Sequence, residues 1–283
     1  MKIVVCIKQV PDTVEVKIDP KTGTLIRDGV PSIINHDDKT GIEAALQLKE
    51  QLGGTVTVVS MGPPQADVAL REALAMGCDE AYLVSAREFG GSDTYATSGI
   101  IAAALKKIGY DLIITGRQAI DGDTAQVGPQ VAQKLGLNQV TYAEEILKCE
   151  DGKLTIRRQI DGGVETVEAP MPVVVTVNGS AAPCRPQNAK LVMKYKRATA
   201  PLERTPDMPY QELYEERPYL TLTQWAVADV DGDPQQCGLS GSPTKVKAVQ
   251  NIVFQAKESK TLTGSDADIE GMIKELLEEK IIG

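Results

Sequence analysis

Short runs of Val, Ile and Leu punctuate the first 115 residues, at positions 2–8, 55–61, 80–85 and 111–115. Unbroken β-branched runs of this length are the pattern of strands buried on both faces. Between them the apolar period lengthens. Ile42, Ala45, Leu46, Leu48 and Lys49 fall at helical spacing behind Asp37 and Asp38, which predicts a helix through Gln51. A second helix is predicted after the turn Gly62-Pro63-Pro64, ending at Gly77. A third follows Gly90-Gly91-Ser92-Asp93 and runs through Ile108, and a fourth spans 125–135. Residues 11–34 break the pattern with Pro-Asp-Thr, Asp-Pro and Asp-Gly turn signals and predict a small hairpin excursion. Strand–helix units with short connections predict an α/β fold with a doubly wound, mostly parallel sheet.

The second half reads differently. Residues 153–159 and 164–168 flank Asp161-Gly162-Gly163, a hairpin signal, and 173–177 is expected as a third strand of an antiparallel or mixed, β-rich extension. Residues 184–218 are proline-rich, carry Lys190, Lys194, Lys196 and Arg197, and read as an extended arm. Residues 267–282 form an amphipathic pattern with Ile269, Ile273, Leu276, Leu277 and Ile281 on one face. The expected division is a nucleotide-binding α/β domain with its hairpin over 1–183. A partner-docking arm with a C-terminal helix follows over 184–283.

Composition narrows the function classes. Aromatic residues make up only 4% of the chain, so the core must be aliphatic. The net charge of −9 argues against nucleic acid as a partner, because phosphate backbones call for a basic surface. Five widely spaced cysteines with no CxxC read as reduced thiols, and a single histidine, His36, gives a Cys/His metal site little support. No segment reaches the roughly 18 uninterrupted apolar residues of a membrane span. A soluble, cytoplasmic protein without membrane insertion is the expectation. No nucleophile–base motif for hydrolysis is present.

The richest stretch for chemistry is 117–129, Arg-Gln-Ala-Ile-Asp-Gly-Asp-Thr-Ala-Gln-Val-Gly-Pro, which leads from the fourth strand into a helix. Unpaired N–H groups and the dipole at a helix start favour an anion, and Gly122 lets a ligand approach the backbone. Thr124 is the expected N-cap. On a doubly wound sheet, ligands sit beyond the carboxyl ends of the strands. That edge would gather 6–12, 35–38, 61–63, 90–94 and 121–128. Lys8 and Arg117 are candidates for placing positive charge near a phosphate or flavin.

Four separated motifs, in order, resemble the β subunit of electron-transfer flavoproteins. They are Ile-Val-Val-Cys-Ile-Lys-Gln-Val at 3–10, Ala-Leu-Ala-Met-Gly-Cys-Asp at 73–79, Gly-Arg-Gln-Ala-Ile-Asp at 116–121, and 156–167 followed by Pro-Val-Val-Val-Thr at 172–176. The resemblance covers about residues 1–200. It implies an adenine-nucleotide α-hydrolase-like fold and a heterodimer with an FAD-carrying α subunit. It also implies a nucleotide on this chain: structural AMP in ordinary members, a second FAD in electron-bifurcating ones. The loop 121–129, the segment Val10-Pro11-Asp12-Thr13 and residues 90–98 are similar to the bifurcating form, so FAD is the expected cofactor and AMP the alternative. NADH would be the electron donor. Ferredoxin or flavodoxin, and an acyl-CoA or hydroxy-acid (lactate-type) flavin dehydrogenase, would be the acceptors.

Carried over position by position, the resemblance implies cofactor contacts at Cys6, Lys8, Val10, Pro11, Asp12, Asn35, Asp37, Met61 and Gly62. Further contacts would come from Thr94, Thr97, Arg117, Asp121, Gly122, Asp123, Thr124, Ala125, Gln126, Val127 and Gly128. Partner docking would fall on Arg185, Ala189, Lys190, Lys194 and Lys196. The chemistry would belong to the flavin, with no catalytic side chain and no metal. The chain departs from the family at 183–190 and over 203–240, which leaves the dehydrogenase unidentified. A stand-alone nucleotide-hydrolysing enzyme on the same sheet is the remaining alternative.

Overall fold

The computed structural model describes residues 1–12, 17–18, 25–26, 31–205, 207–245 and 259–282. They form two compact units, residues 1–246 and 247–283. In chain order the first unit carries β1 (Lys2–Cys6), β2 (Gln9–Pro11), β3 (Lys17–Ile18), β4 (Leu25–Ile26), β5 (Ser32–Ile34), α1 (His36–Leu52), β6 (Thr55–Met61), α2 (Asp67–Met76), β7 (Glu80–Val84), α3 (Thr94–Ile108) and β8 (Leu112–Gly116). Then follow α4 (Val127–Leu135), β9 (Asn138–Glu150), β10 (Lys153–Ile160), β11 (Gly163–Pro170), β12 (Val173–Val177), α5 (Ala189–Tyr195), α6 (Glu212–Glu216), β13 (Thr223–Trp225) and α7 (Gly238–Gly241). The second unit carries α8 (Asp266–Glu278).

The main sheet has nine strands in the order β11-β10-β9-β12-β8-β1-β6-β7-β13. From β9 to β13 every neighbouring pair is parallel. β10 and β11 add an antiparallel hairpin, closed between Ile160 and Gly163. The chain winds outward from β1 through β6 and β7, then returns to β8 on the other side of β1. The strand order therefore reverses between β1 and β8, which is where such sheets open a crevice at their carboxyl ends.

Alternation along each strand buries both faces. Ile3 and Val5 pack with α1 and α2, while Val4 and Cys6 pack with α3 and α4. Gly128 sets how closely α4 sits on the sheet, because a Cβ there would come within 2.8 Å of both Thr115 and Thr176. The fold class matches the sequence expectation.

Two local expectations are corrected. Residues 173–177 are not an outer strand of the extension. As β12 they lie at the centre of the parallel sheet, fully buried between β8 and β9. The strand that joins the two regimes is β9, whose polar sequence gives little apolar signal. It runs parallel to β12 at its start and antiparallel to β10 at its end. The change of partner is absorbed by an irregularity around residues 141–143, where Tyr142 has a φ of 57° and gives its N–H to Thr176 Oγ1 at 3.2 Å. The proline-rich stretch after 184 is likewise not simply extended. It carries α5 and α6, and Ala198, Ala200, Leu220 and Leu222 are buried in the core under α2. Further on, β13 pairs with β7, and Trp225 packs on Tyr82 with ring centroids 4.6 Å apart.

The excursion after β1 contains the pairs β2–β5 and β3–β4. Thr13 and the turn signals at 19–20 and 28–29 lie outside the described residues. In the second unit, α8 is capped by Ser265 and has no buried residue, with Ile269, Met272, Ile273 and Leu277 all exposed. Among the described residues no helix is long and apolar enough to cross a membrane.

Gly128→Ala should force α4 off β8 and β12 and lower the unfolding free energy by about 1–3 kcal/mol, the usual cost of overpacking. Gly122→Ala, with nothing within 4 Å, should be close to neutral. Urea unfolding followed by Trp225 fluorescence distinguishes the two.

Candidate functional site

At the reversal between β1 and β8, one carboxylate ties the strand ends together. Asp38 Oδ2 accepts the Lys8 N–H at 2.8 Å, and Oδ1 accepts the Gly116 N–H at 3.0 Å. Asn35 adds a side-chain hydrogen bond. A Cβ at position 116 would sit 2.3 Å from Asp38 Oδ1, so only glycine leaves room for this contact. Asp38 is fully enclosed, and burial pushes its carboxyl up to about 7. Its hydrogen bonds pull the other way without reversing that effect, and the like charge of neighbouring Asp37 adds to it. Desolvation wins over donors that each favour the ionised form.

Asn35, also fully buried, holds the loop after β8 from below. Its Nδ2 donates to Gln118 O at 2.7 Å, its Oδ1 accepts the Ile120 N–H at 3.1 Å, and its own N–H donates to Lys8 O. Lys8 Nζ and Asp121 form an ion pair of 2.6 Å across the crevice floor. Arg117 gives its N–H to Val177 O, pairs with Asp37 at 3.4 Å and lies 5.6 Å from the Tyr142 ring centre. Gln118 reaches forward to Asp123 at 2.9 Å.

Above this floor the loop is open. Residues 122–124 are exposed, and Asp123 and Ala125 take left-handed φ values of 48° and 51°. That geometry corrects the expected cap. The chain is still turning at Ala125, so α4 begins at Val127 with Gln126 before it and no side-chain cap, and Thr124 lies too early. The far wall is α3, capped by Asp93 through the Ala96 N–H. Thr94 Oγ1 donates to Gln126 Oε1 at 2.8 Å and accepts from Gln130 Nε2 at 3.3 Å.

The structure thus brings together Lys8, Asn35, Asp37, Arg117, the loop 121–128 and Thr94. Others among the expected residues stand further back. Cys6 is a buried thiol, pushed up to about 12 by its burial and by Asp38, in a strand paired on both sides. Val10 and Pro11 are engaged in pairing with β5, and Asp12 donates its N–H to Pro31 O. Met61 packs partly into the core, Gly62 donates to Val84 O, and Thr97 donates to Asp93 O inside its helix. His36 is simply the exposed first residue of α1.

Asp38 lay within the 35–38 segment expected at this edge but was not named among the individual contacts. Its signal was present: it sits four positions before Ile42, on the stripe of α1 that must be buried, where a carboxylate needs partners. A separate cavity of about 470 Å³ lies between α1, β9, β10 and residues 180–183. It includes Glu144 and Glu145 in its lining and suits a phosphate poorly. On the arm, Arg185 is held by Glu43 at 2.8 Å and by Glu50, while Ala189, Lys190, Lys194 and Lys196 are exposed.

Comparison with known proteins agrees with this architecture. The electron transfer flavoprotein domain matches residues 22–203. The electron transfer flavoprotein subunit beta of Clostridium acetobutylicum is 50% identical over 87% of this chain and 86% of the relative. The caffeyl-CoA reductase-Etf complex subunit CarD of Acetobacterium woodii is 49% identical over 87% and 86%. The electron transfer flavoprotein subunit beta of Megasphaera elsdenii is 41% identical over the full length of both chains.

Asp38→Asn should destabilise the fold, since an amide has one acceptor oxygen where two N–H groups need one each. Its effect should also depend on pH. The folded-state pKa of Asp38 is raised, so its stabilising contribution is complete at acid pH and is lost as pH rises through about 7. The wild-type advantage should therefore shrink between pH 5 and 7, at up to about 1.4 kcal/mol per pH unit, and be level above that. Parallel urea titrations of the two proteins read this directly. A constant difference would mean that Asp38 is ionised throughout.

Proposed function

Because the chain belongs to the electron transfer flavoprotein family, as a β subunit, we propose that it pairs with an FAD-carrying α subunit and itself binds FAD in the crevice between β1 and β8. The observation that carries this reading is the start of α4. Its first turn lacks a side-chain cap, it opens at the strand-order reversal, and it is preceded by an exposed glycine with free space around it. Unpaired N–H groups and the positive end of the helix suit a pyrophosphate.

In this reading, the roles of the residues follow from their places. Lys8 and Arg117 supply positive charge beside the crevice, each balanced by a carboxylate that a phosphate could displace. Asn35 and Asp38 fix the floor. Thr94 offers its hydroxyl from the far wall. The backbone at Cys6 and the ends of β1 and β6, with Met61 and Gly62, would face the base. A bound flavin would supply the redox chemistry, accepting a hydride from NADH and releasing electrons singly toward ferredoxin or flavodoxin and the α-subunit FAD. The protein contributes position and electrostatics.

Docking of a flavin dehydrogenase falls naturally on α5. Met193 is 69% exposed and Val192 37%, flanked by Lys190, Lys194 and Lys196. An apolar centre in a basic rim suits an acidic partner surface. Arg185 has a different part, since Glu43 and Glu50 already occupy its guanidinium and it fastens the arm to α1. The same crevice would accept AMP, which is the second reading. Gly122 and the exposed 122–124 loop favour the larger ligand.

The complex co-purified with its α subunit should contain two flavins by absorbance, and NADH should reduce the one on this chain. One flavin, with AMP released on acid extraction, would establish the second reading. Gly122→Asp places a carboxylate where the pyrophosphate is expected. It should lower FAD content at least about tenfold while leaving AMP binding much less affected. Normal flavin content in that variant would mean the pyrophosphate lies elsewhere. Met193→Glu should slow electron transfer to the dehydrogenase without changing flavin content, measured by steady-state reduction of the partner.

A further inference from the structure

Residues 237–244, Cys-Gly-Leu-Ser-Gly-Ser-Pro-Thr, lie far in sequence from the crevice, yet they close on the loop that starts α3. The Asp93 N–H donates to Ser242 Oγ at 2.8 Å. Ser242 Oγ in turn donates to Gly238 O at 2.6 Å, and the Gly238 N–H donates to Ser92 Oγ at 3.0 Å. Asp93 uses its two carboxylate oxygens for different tasks. Oδ1 caps α3 through the Ala96 N–H, whereas Oδ2 accepts both the N–H and the hydroxyl of Thr244, at 3.0 and 2.7 Å. Ser242 is buried.

The contacts continue into the crevice wall. Thr94 follows Asp93, and its hydroxyl bonds to Gln126, just before α4, and to Gln130 on α4, while Ser98 Oγ donates to Gln130 Oε1 at 3.0 Å. An unbroken polar chain thus runs from Thr244 through Asp93 and Thr94 to the residue preceding α4. A Gly-Gly-Ser-Asp loop before a helix could in principle cradle a phosphate itself. Here Ser92 and Asp93 are already committed to the strap.

We propose that residues 237–244 are a positioning strap, with Ser242 and Thr244 as positioning residues that hold the first turn of α3 in register with the first turn of α4. The strap thereby fixes the width of the crevice mouth and the retention of the nucleotide there. This rests on the nucleotide-site reading above, and the assignment of the strap itself rests on contacts that exist without a ligand. The charged acceptor matters here. Hydrogen bonds to a carboxylate are about twice as strong as neutral ones, so losing the Thr244 hydroxyl bond leaves Asp93 Oδ2 held by one backbone N–H and loosens its grip on the strap.

The test uses the heterodimer with its α subunit. Thr244→Val removes the hydroxyl but keeps the shape, and Thr244→Ser restores the donor. Thr199→Val serves as a control, because it removes a buried hydroxyl bonded to Asp67 at 2.7 Å, away from the strap. Thr244→Val should speed hydrogen exchange at the Ala96 and Thr97 amides by about tenfold, and dissociation of the nucleotide from this chain by a similar factor. Thr244→Ser should return both to wild-type values. Thr199→Val should alter neither, although it lowers thermal stability. Unchanged exchange in Thr244→Val would overturn the strap. Faster exchange with unchanged nucleotide dissociation would overturn its role in retention. If the wild-type complex carried no nucleotide on this chain, the functional reading would fail while the exchange measurement still decided the strap.

Discussion

The architecture of the crevice hangs on the buried Asp38 carboxylate. The two strands it joins, β1 and β8, are neighbours in the sheet but diverge at their carboxyl ends, because the chain leaves them toward opposite sides. The N–H groups at Lys8 and Gly116 point into the gap and have no strand partner of their own. A carboxylate with two oxygens at the start of α1 satisfies both. Leaving either donor unpaired in the interior would cost about 1–3 kcal/mol. The geometry also demands a glycine at 116, where any side chain would collide with Asp38. The open edge of the sheet is thereby made rigid at the point where a ligand would press on it.

From that pin the other contacts follow in layers. Asn35 sits one turn earlier, at the entrance to α1, and fastens the loop after β8 through both ends of its amide. With the loop anchored at 118–120, residues 121–126 are free to rise above the floor. They do so in an uncommon conformation, with two left-handed non-glycine residues in three positions. Such backbone persists only when its surroundings over-determine it. Here the Lys8–Asp121 ion pair, the Gln118–Asp123 bond and the Thr94–Gln126 bond supply that constraint. The ion pair contributes modestly by itself, since the Lys8 side chain remains 43% exposed. Its value is in placing a cation at the crevice.

Much of this was legible in the sequence, for identifiable reasons. Strands buried on both faces announce themselves by unbroken β-branched runs, so β1, β6, β7 and β8 and the winding of the sheet could be read directly. β12 has the same signal but was given the wrong neighbours, because its place between β8 and β9 depends on a crossover that local pattern does not encode. β9 was invisible. Its thirteen residues serve two partners of opposite sense and are half exposed, so neither alternation nor a continuous apolar run survives. The candidate site divides in the same way. The motif residues Lys8, Asn35, Arg117 and 121–128 converge because they lie at strand ends, which chain order predicts. Asp38 was placed at the edge by its segment, although its Gly116 partner lies 78 residues away; Ser242 and Thr244 act through contacts about 150 residues away in sequence, which no local reading reveals.

The strap resolves why so polar a stretch as 223–244 returns to the sheet at all. β13 covers the exposed edge of β7, and Trp225, Val227, Val230 and Cys237 extend the core over α3. An edge could be protected by a charged residue or a proline at far lower cost in ordered chain. What those devices cannot do is reach the beginning of α3. A helix docked by its apolar face alone can slide along its axis, because dispersion contacts are numerous and weakly directional. Hydrogen bonds from Ser242 and Thr244 act along that axis and at its end, where sliding would break them. The tertiary investment in this segment therefore makes physical sense if the position of α3's first turn, more than the stability of the sheet edge, is what the protein has to keep fixed.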